Sequence, residues 1–177
     1  MDVHTRIGED GQPESASQVY RVLFVCLGNI CRSVAAEMTF NAALKAAGLE
    51  GQVEADSCGT ANYHVGQRPD ARMLDALQRA GFEYNGHRGR QFCRRDFTDF
   101  DLIVPQDSSN YEDVVQMASS LEDMARVVPM SAWFADDCPL HEVPDPYYGS
   151  MKDFDDVVAL LAGATRQLAS EIARAEA

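Results

Sequence analysis

No apolar run in this chain approaches the ~18 residues that a membrane-spanning helix needs. Nor does the first stretch read as a secretory leader. Met1 to Ser17 is polar, with Gly8, Gly11 and Pro13 and no hydrophobic stretch. Residues 1–18 therefore read as a disordered polar tail, and their removal is expected to leave activity unchanged. Both absences point to a soluble cytoplasmic protein. Lysine is almost absent: Lys45 and Lys152 are the only two, and 28 acidic residues give a net charge of −13. So acidic a surface disfavours nucleic acid and anionic membranes as partners. No C-x-x-C pair occurs among the five cysteines, Cys26, Cys31, Cys58, Cys93 and Cys138. The odd count and the spacing argue against a disulfide framework and against a structural zinc site. Cys93 and Cys138 read as ordinary thiols.

At 177 residues the chain is long enough for a full core and fits one domain, here residues 19–177. Short apolar or β-branched runs at Val19–Val25, Gln52–Ser57, Phe100–Val104 and Arg126–Met130 predict four strands. Pro105 marks the end of the third. Between them lie helical patterns. One runs from a Ser33 cap to Ala47 and is stopped by Gly48. A second covers Ala71–Ala80, and a third covers Ser109–Ser119 behind a cap at Asp107. The last helix is announced by Ser150-x-x-Asp153 and carries Phe154, Val157, Val158, Leu161, Leu168 and Ile172 at helical spacing. Strands alternating with helices imply right-handed β-α-β units. The expected fold is a single-domain α/β architecture. A central four-stranded parallel sheet is flanked by helices in the three-layer flavodoxin-like or Rossmann-like manner. Ligands of such folds bind at the carboxyl ends of the strands, where strand order reverses.

"CLGNICRS", Cys26–Ser33, occupies that end of the first strand. Gly28 permits a tight turn, and Asn29 tolerates left-handed backbone. Successive N–H groups can converge into an anion nest, reinforced by the N-terminus of the following helix. Arg32 can hold two oxygens of a tetrahedral oxyanion. The same field stabilises a thiolate at Cys26 and makes it an available nucleophile. A thiolate that attacks phosphorus wants a general acid on the leaving-group side. "EVPDPYYGS" offers one in Asp145, stiffened by Pro144 and Pro146. Tyr147 and Tyr148 can wall a pocket for a flat substrate. Alone, Asp-Pro is usually just a turn; beside Cys26 and Arg32 it gains a purpose. Arg88, Arg90, Arg94 and Arg95 cluster in one segment and read as a solvated charged loop.

Together, "VLFVCLGNICRS" and "DPYY" make the chain resemble the low-molecular-weight protein tyrosine phosphatases. "DSCGTANYHVGQRPDAR", "HRGRQF", "DFTDFDLIV" and "DSSN" lie between them in the family's order, and the resemblance covers Val19 to the C-terminus. It implies cysteine-dependent hydrolysis of phosphotyrosine in proteins, with no metal and no cofactor. Cys26 would form a phosphocysteine, Arg32 would hold the phosphoryl group, and Asp145 would serve as acid and then base. The phosphate would bind across Leu27, Gly28, Asn29, Ile30, Cys31, Arg32 and Ser33. Ser33 would donate to the Cys26 thiolate. Asn29, Ser57 and His87 match the network that supports the loop, with Asn29 left-handed. Tyr63, Tyr147 and Tyr148 match the entrance wall, with His64 nearby. The implied partner is a tyrosine-phosphorylated protein, or free phosphate in the loop. A monomer, or a weak dimer that hides the tyrosine-lined entrance, is expected.

This chain departs from the family's usual pattern at Val34 (usually proline), at Cys58 (usually alanine) and at Gln106 in "VPQDSSN" (usually methionine). Tyr63 stands where tryptophan is frequent. Oxidation could join Cys26 to Cys31 reversibly and protect the nucleophile. Competing readings on the same loop are an arsenate reductase, a phosphoarginine phosphatase and a catalytically silent phosphotyrosine-binding module. The first needs a cysteine relay that shows no obvious pair here, and the second tends to carry threonine where this chain has Ile30.

Overall fold

The computed structural model describes residues 18–176. Apart from Gln18, the expected N-terminal tail lies outside the described residues. Three strands form the sheet: β1 (Tyr20–Cys26), β2 (Val53–Gly59) and β3 (Leu102–Pro105). They run parallel in the order β2-β1-β3. β1 reads as an unbroken apolar run because both of its faces are covered. Val22 and Phe24 point into one core, shared with α1 (Arg32–Ala47), α2 (Ala71–Arg79) and α6 (Met151–Glu176). Leu23 and Val25 point into the other, with Phe97 of α3 (Asp96–Asp99) and Val114 of α4 (Ser108–Gln116). This is the two-residue period of a strand sandwiched between helical layers. Phe24 meets Phe40 of α1 edge-on at 5.4 Å between ring centroids, a pairing that contributes ~1 kcal/mol beyond its burial.

The expected fourth strand at Arg126–Met130 is not one. A single bridge links Ile103 to Val127, made by Ile103 N–H to Arg126 O (2.8 Å) and Val128 N–H to Ile103 O (3.0 Å). Pro129 has no N–H with which to continue the ladder, and Met130–Trp133 coils into a 3-10 turn. The described sheet therefore has three strands rather than four. Two helices escape the periodicity, α3 and α5 (Leu121–Ala125), because four or five residues are too few to register a helical period.

Helix ends follow local chemistry. Gly48 closes α1 in the left-handed region at φ 70°. Asp107 caps α4 through Asn110 N–H at 2.7 Å, as expected. Asp153 accepts the Ser150 N–H at 2.6 Å before α6. Ser33 does not cap α1. The helix starts at Arg32 with Cys31 in the cap position and no capping side chain, because the Ser33 hydroxyl is turned toward Cys26 and Asn29. The first-turn N–H groups of α1 are thus left for an anion. β1 lies between strands reached on opposite sides, so its carboxyl end opens onto the crevice where strand order reverses.

Candidate active site

The loop after β1 is packed from below by β2. Gly59, paired with Cys26, has no room for a side chain: a Cβ there would stand 2.6 Å from Leu27 O and 3.1 Å from Asn29 N. The turn is made by Asn29, whose φ is 56°. Gly28 does not take a left-handed φ. It lies under the His64 ring, which a Cβ would meet at 3.1 Å.

Asn29 is buried, and all of its side-chain polarity is engaged. Its Nδ2 donates to Ser33 Oγ (2.8 Å) and Ser57 Oγ (3.0 Å). Its Oδ1 accepts from His87 Nε2 (2.8 Å) and from the Arg90 N–H (3.0 Å). Ser33 Oγ accepts from Asn29 and has its own hydrogen available for Cys26 Sγ, 3.0 Å away; it donates there when the sulfur is a thiolate, which has no proton to give. Ser57 Oγ likewise donates to Glu37 Oε2 at 2.6 Å. The Asn29 N–H adds a second donor to Cys26 Sγ at 3.3 Å. The four residues expected in the supporting network, Ser33, Asn29, Ser57 and His87, are therefore connected.

Sequence reasoning missed several members of this assembly. Glu37, one turn after Ser33 on an otherwise apolar helix face, is 2% exposed. It accepts from Ser57 and from Asn85 Nδ2 (2.8 Å). Burial pushes its pKa up to about 7. His87 Nδ1 lies 3.5 Å from both Glu37 and Asp56. Burial pushes the imidazole pKa down, opposed by the Asp56 carboxylate. These three offer ligand atoms within 4.8 Å of one another, the one metal-like group among the described residues. Hydrogen bonds to Ser57, Asn85, Asn29 and Arg90 already engage them. Arg90 is not part of a solvated loop. Its guanidinium holds Asp56 (2.9 Å) and both oxygens of Asp96 (3.2 and 3.1 Å), beside the exposed Arg88, Arg94 and Arg95.

Arg32 is 3% exposed. Nη1 donates to Asp107 Oδ2 (2.6 Å) and to Val143 O (3.1 Å), while Nη2 lies 3.5 Å from Asp145 Oδ2. Asp107 thus has a second task beyond capping α4. The Val143 N–H bonds Gln106 O at 2.8 Å, so the stretch leading to Asp145 is pinned to the end of β3. Asp145 accepts the Tyr147 N–H at 3.1 Å, which closes a turn at the rim.

Cys26, Arg32 and Asp145 line one cavity of about 300 Å³, with Ile30 on its side and Tyr63, Tyr147 and Tyr148 at its mouth. The tyrosines are exposed, and Tyr147 and Tyr148 pack edge-on at 4.9 Å. His64 lines the same mouth and is half-buried. Cys26 and Cys31 are both free thiols. Burial, with the Asp70 carboxylate close by, pushes the Cys31 pKa far up, so Cys31 stays protonated. The site unites a buried thiol, a buried guanidinium, uncapped helix N–H groups and a carboxyl group around an anion-sized hollow. That is the equipment of an enzyme working on phosphoryl esters.

The low molecular weight phosphotyrosine protein phosphatase family model matches residues 21–177. A Synechocystis sp. protein bearing that family name is 41% identical over 154 residues, covering 87% of this chain and 97% of its own. The low molecular weight protein-tyrosine-phosphatase YfkJ of Bacillus subtilis is 37% identical over 153 residues, 85% of this chain and 94% of its own. The crystal structure of YfkJ superposes with a TM-score of 0.84 over 92% of this chain and 99% of that one. A protein tyrosine phosphatase from Entamoeba histolytica, crystallised with Hepes in the active site, also gives 0.84, at 32% identity, covering 89% of this chain and 99% of its own. The chain belongs to the low molecular weight phosphotyrosine protein phosphatase family and is a hydrolase of the protein-tyrosine-phosphatase class. Among the described residues, no helix is long and apolar enough to cross a membrane.

Proposed function

We propose that this chain hydrolyses phosphotyrosine in proteins through a phosphocysteine formed on Cys26. The observation that carries this reading is the convergence of Cys26, Arg32 and Asp145 on one tyrosine-rimmed cavity. The phosphoryl oxygens sit in the loop Leu27–Ser33, against its N–H groups and the Arg32 guanidinium. The Cys26 thiolate, supported by Ser33 Oγ and the Asn29 N–H, attacks phosphorus. The P–O bond to tyrosine breaks, and the phenolic oxygen takes the proton of Asp145. Water then replaces tyrosine. Asp145, now ionised, accepts a proton from the water as its oxygen attacks phosphorus. The S–P bond breaks, and phosphate leaves with the thiolate regenerated. Arg32 and the loop N–H groups favour the charge spread over the equatorial oxygens during both transfers. No step of this reading calls on a metal.

Apolar Ile30 on the cavity side suits an aromatic ring better than the guanidinium of phosphoarginine. An arsenate relay needs cysteines that can meet, whereas Cys58 is fully buried and Cys93 is exposed. A silent binding module would leave Asp145 without a task.

The test is phosphate release from a phosphotyrosine peptide by wild type and Cys26→Ser, with chelator present. Phosphoserine, phosphoarginine and arsenate are run in parallel. Chelator-resistant turnover of phosphotyrosine, lost in Cys26→Ser, is the expected outcome. Activity on phosphoarginine or arsenate alone would overturn it. The redox role of Cys31 is tested by peroxide followed by reductant: recovery of Cys31→Ala as complete as wild type would remove it.

A further inference from the structure

Arg72 reaches none of the groups assigned to the reaction, yet it joins two parts of the site that no backbone bond connects. It stands in the first turn of α2, with its side chain 40% exposed. The guanidinium grips Asp70 with two parallel bonds, Nε to Oδ1 at 3.1 Å and Nη2 to Oδ2 at 2.8 Å. It lies 4.6 Å from the ring centroid of Phe154 and 5.3 Å from that of Tyr147. Phe154 is fully buried and therefore a fixed platform. Asp70, for its part, donates its backbone N–H to Ile30 O within the oxyanion loop at 2.9 Å. A chain of contacts thus runs from the loop through Asp70 and Arg72 to the tyrosine at the cavity mouth.

We propose that Arg72 is a positioning residue that fixes Tyr147 at a set distance from the oxyanion loop, and so fixes the width of the slot that takes the aromatic ring of the substrate. An isolated surface ion pair contributes little. This one differs because the fork is bidentate and stacked, a geometry that a lysine ammonium cannot reproduce. Asp70 holds the guanidinium plane, Phe154 supports it, and Tyr147 rests against it by cation–π attraction. Selectivity for aryl phosphates thereby depends on a residue outside the cavity, while oxyanion affinity does not. The inference rests on the phosphatase reading above.

The test is steady-state kinetics of the full chain as wild type, Arg72→Met, Arg72→Lys, Tyr147→Ala, and each Arg72 variant combined with Tyr147→Ala. A phosphotyrosine peptide is the substrate, and orthophosphate the competitive inhibitor. Both Arg72 variants are expected to lose about 5- to 10-fold in kcat/KM, with the orthophosphate inhibition constant within about 2-fold of wild type. In the Tyr147→Ala background the Arg72→Met change is expected to cost less than about 2-fold more, since its effect passes through that ring. Losses that simply multiply, an Arg72→Lys enzyme equal to wild type, or a parallel weakening of orthophosphate would each overturn the inference. Should Arg72→Met not fold, Arg72→Lys carries the same comparison in both backgrounds. Wild type that fails to turn over phosphotyrosine sinks the phosphatase reading and this inference together. Wild-type turnover with multiplying losses sinks this inference alone.

Discussion

The oxyanion loop and the Asp145 loop face each other across one cavity and are held by opposite means. Around Cys26–Ser33 the supporting groups are buried and interlocked: Asn29 alone connects Ser33, Ser57, His87 and Arg90. The Asp145 loop is anchored on either side, by Val143 to β3 and Arg32 and by Tyr147 against Arg72, but the contacts of the Asp145 carboxylate itself are few and sit at the rim. The carboxylate is 46% exposed, its approach to Arg32 is a loose 3.5 Å, and Tyr148 is 96% exposed. A group that must meet the same tetrahedral anion in every turnover gains from preorganisation, since its dipoles need not reorganise during transfer. In the proposed reaction, a carboxyl group that meets different proteins and then admits water gains from a looser mount. The comparison predicts that damage to the first loop removes chemistry or fold, whereas damage to the second rescales rate and selectivity.

The largest break in that comparison is Cys26→Ser. Turnover of a phosphotyrosine peptide should fall by about 10⁴-fold or more, because a hydroxyl replaces the thiolate proposed to attack phosphorus. Orthophosphate should still bind, measured by titration calorimetry, since the N–H nest and Arg32 remain. Asp145→Asn comes next. Its kcat should drop about 10²- to 10³-fold on phosphotyrosine, and much less on p-nitrophenyl phosphate, whose leaving group needs no proton. An equal loss on both esters would deny Asp145 the role of acid.

The two loops also differ in how far the sequence betrays them. The oxyanion loop is contiguous. Strand, turn, arginine and helix start fall within "VLFVCLGNICRS", so its chemistry is legible in one stretch. Asp145 is legible only by association, because Asp-Pro marks turns everywhere. The partners that hold Arg32 and Asn29 come from far along the chain. Asp107 is 75 residues from Arg32, and Arg90 is 61 from Asn29. No local period encodes such pairs. Arg90 sits in an arginine-rich stretch whose other members are exposed, and only the tertiary fold separates it from them. Glu37 left a trace, a lone acid in "SVAAEMTF", which a stricter reading of the helix face would have flagged. The fourth strand failed for the reverse reason: an apolar pattern at Arg126–Met130 was present, but Pro129 cuts the ladder after one bridge.

Asn29→Ala probes the interlock itself. The substitution leaves the Arg90 N–H without its partner, takes one bond each from His87, Ser57 and Ser33, and puts alanine at φ 56°, where an L side chain is strained. A loss of about 4 kcal/mol in urea unfolding is expected from those terms. Asn29→Gly relieves the strain and keeps the lost bonds, so it should recover only about 1 kcal/mol. Full recovery by glycine would mean that backbone geometry, not the network, holds the loop.

The smallest effect sharpens the contrast through pH. Glu37 is raised in the fold to about 7 from an ordinary 4.5. Between those values the folded chain keeps a proton that the unfolded chain has released. Stability contributed by this group is therefore greatest below about pH 4.5, falls as pH rises through the window, and is lost above about 7. Glu37→Gln keeps the shape and removes the titration. Wild type should lose about 2 kcal/mol more than Glu37→Gln between pH 5 and 7.5, read by urea unfolding at both pH values. The lowered His87 pKa works in the other direction below its ordinary 6.5, and because its Nδ1 lies 3.5 Å from Glu37 the two titrations are coupled, so the difference reads the pair. The interlock thus contains one charge that the fold tolerates rather than favours at neutral pH. A wild-type-minus-variant difference that does not change with pH would show that Ser57, Asn85 and His87 compensate the buried carboxylate fully, and the loop would then be stiffer than its burial implies.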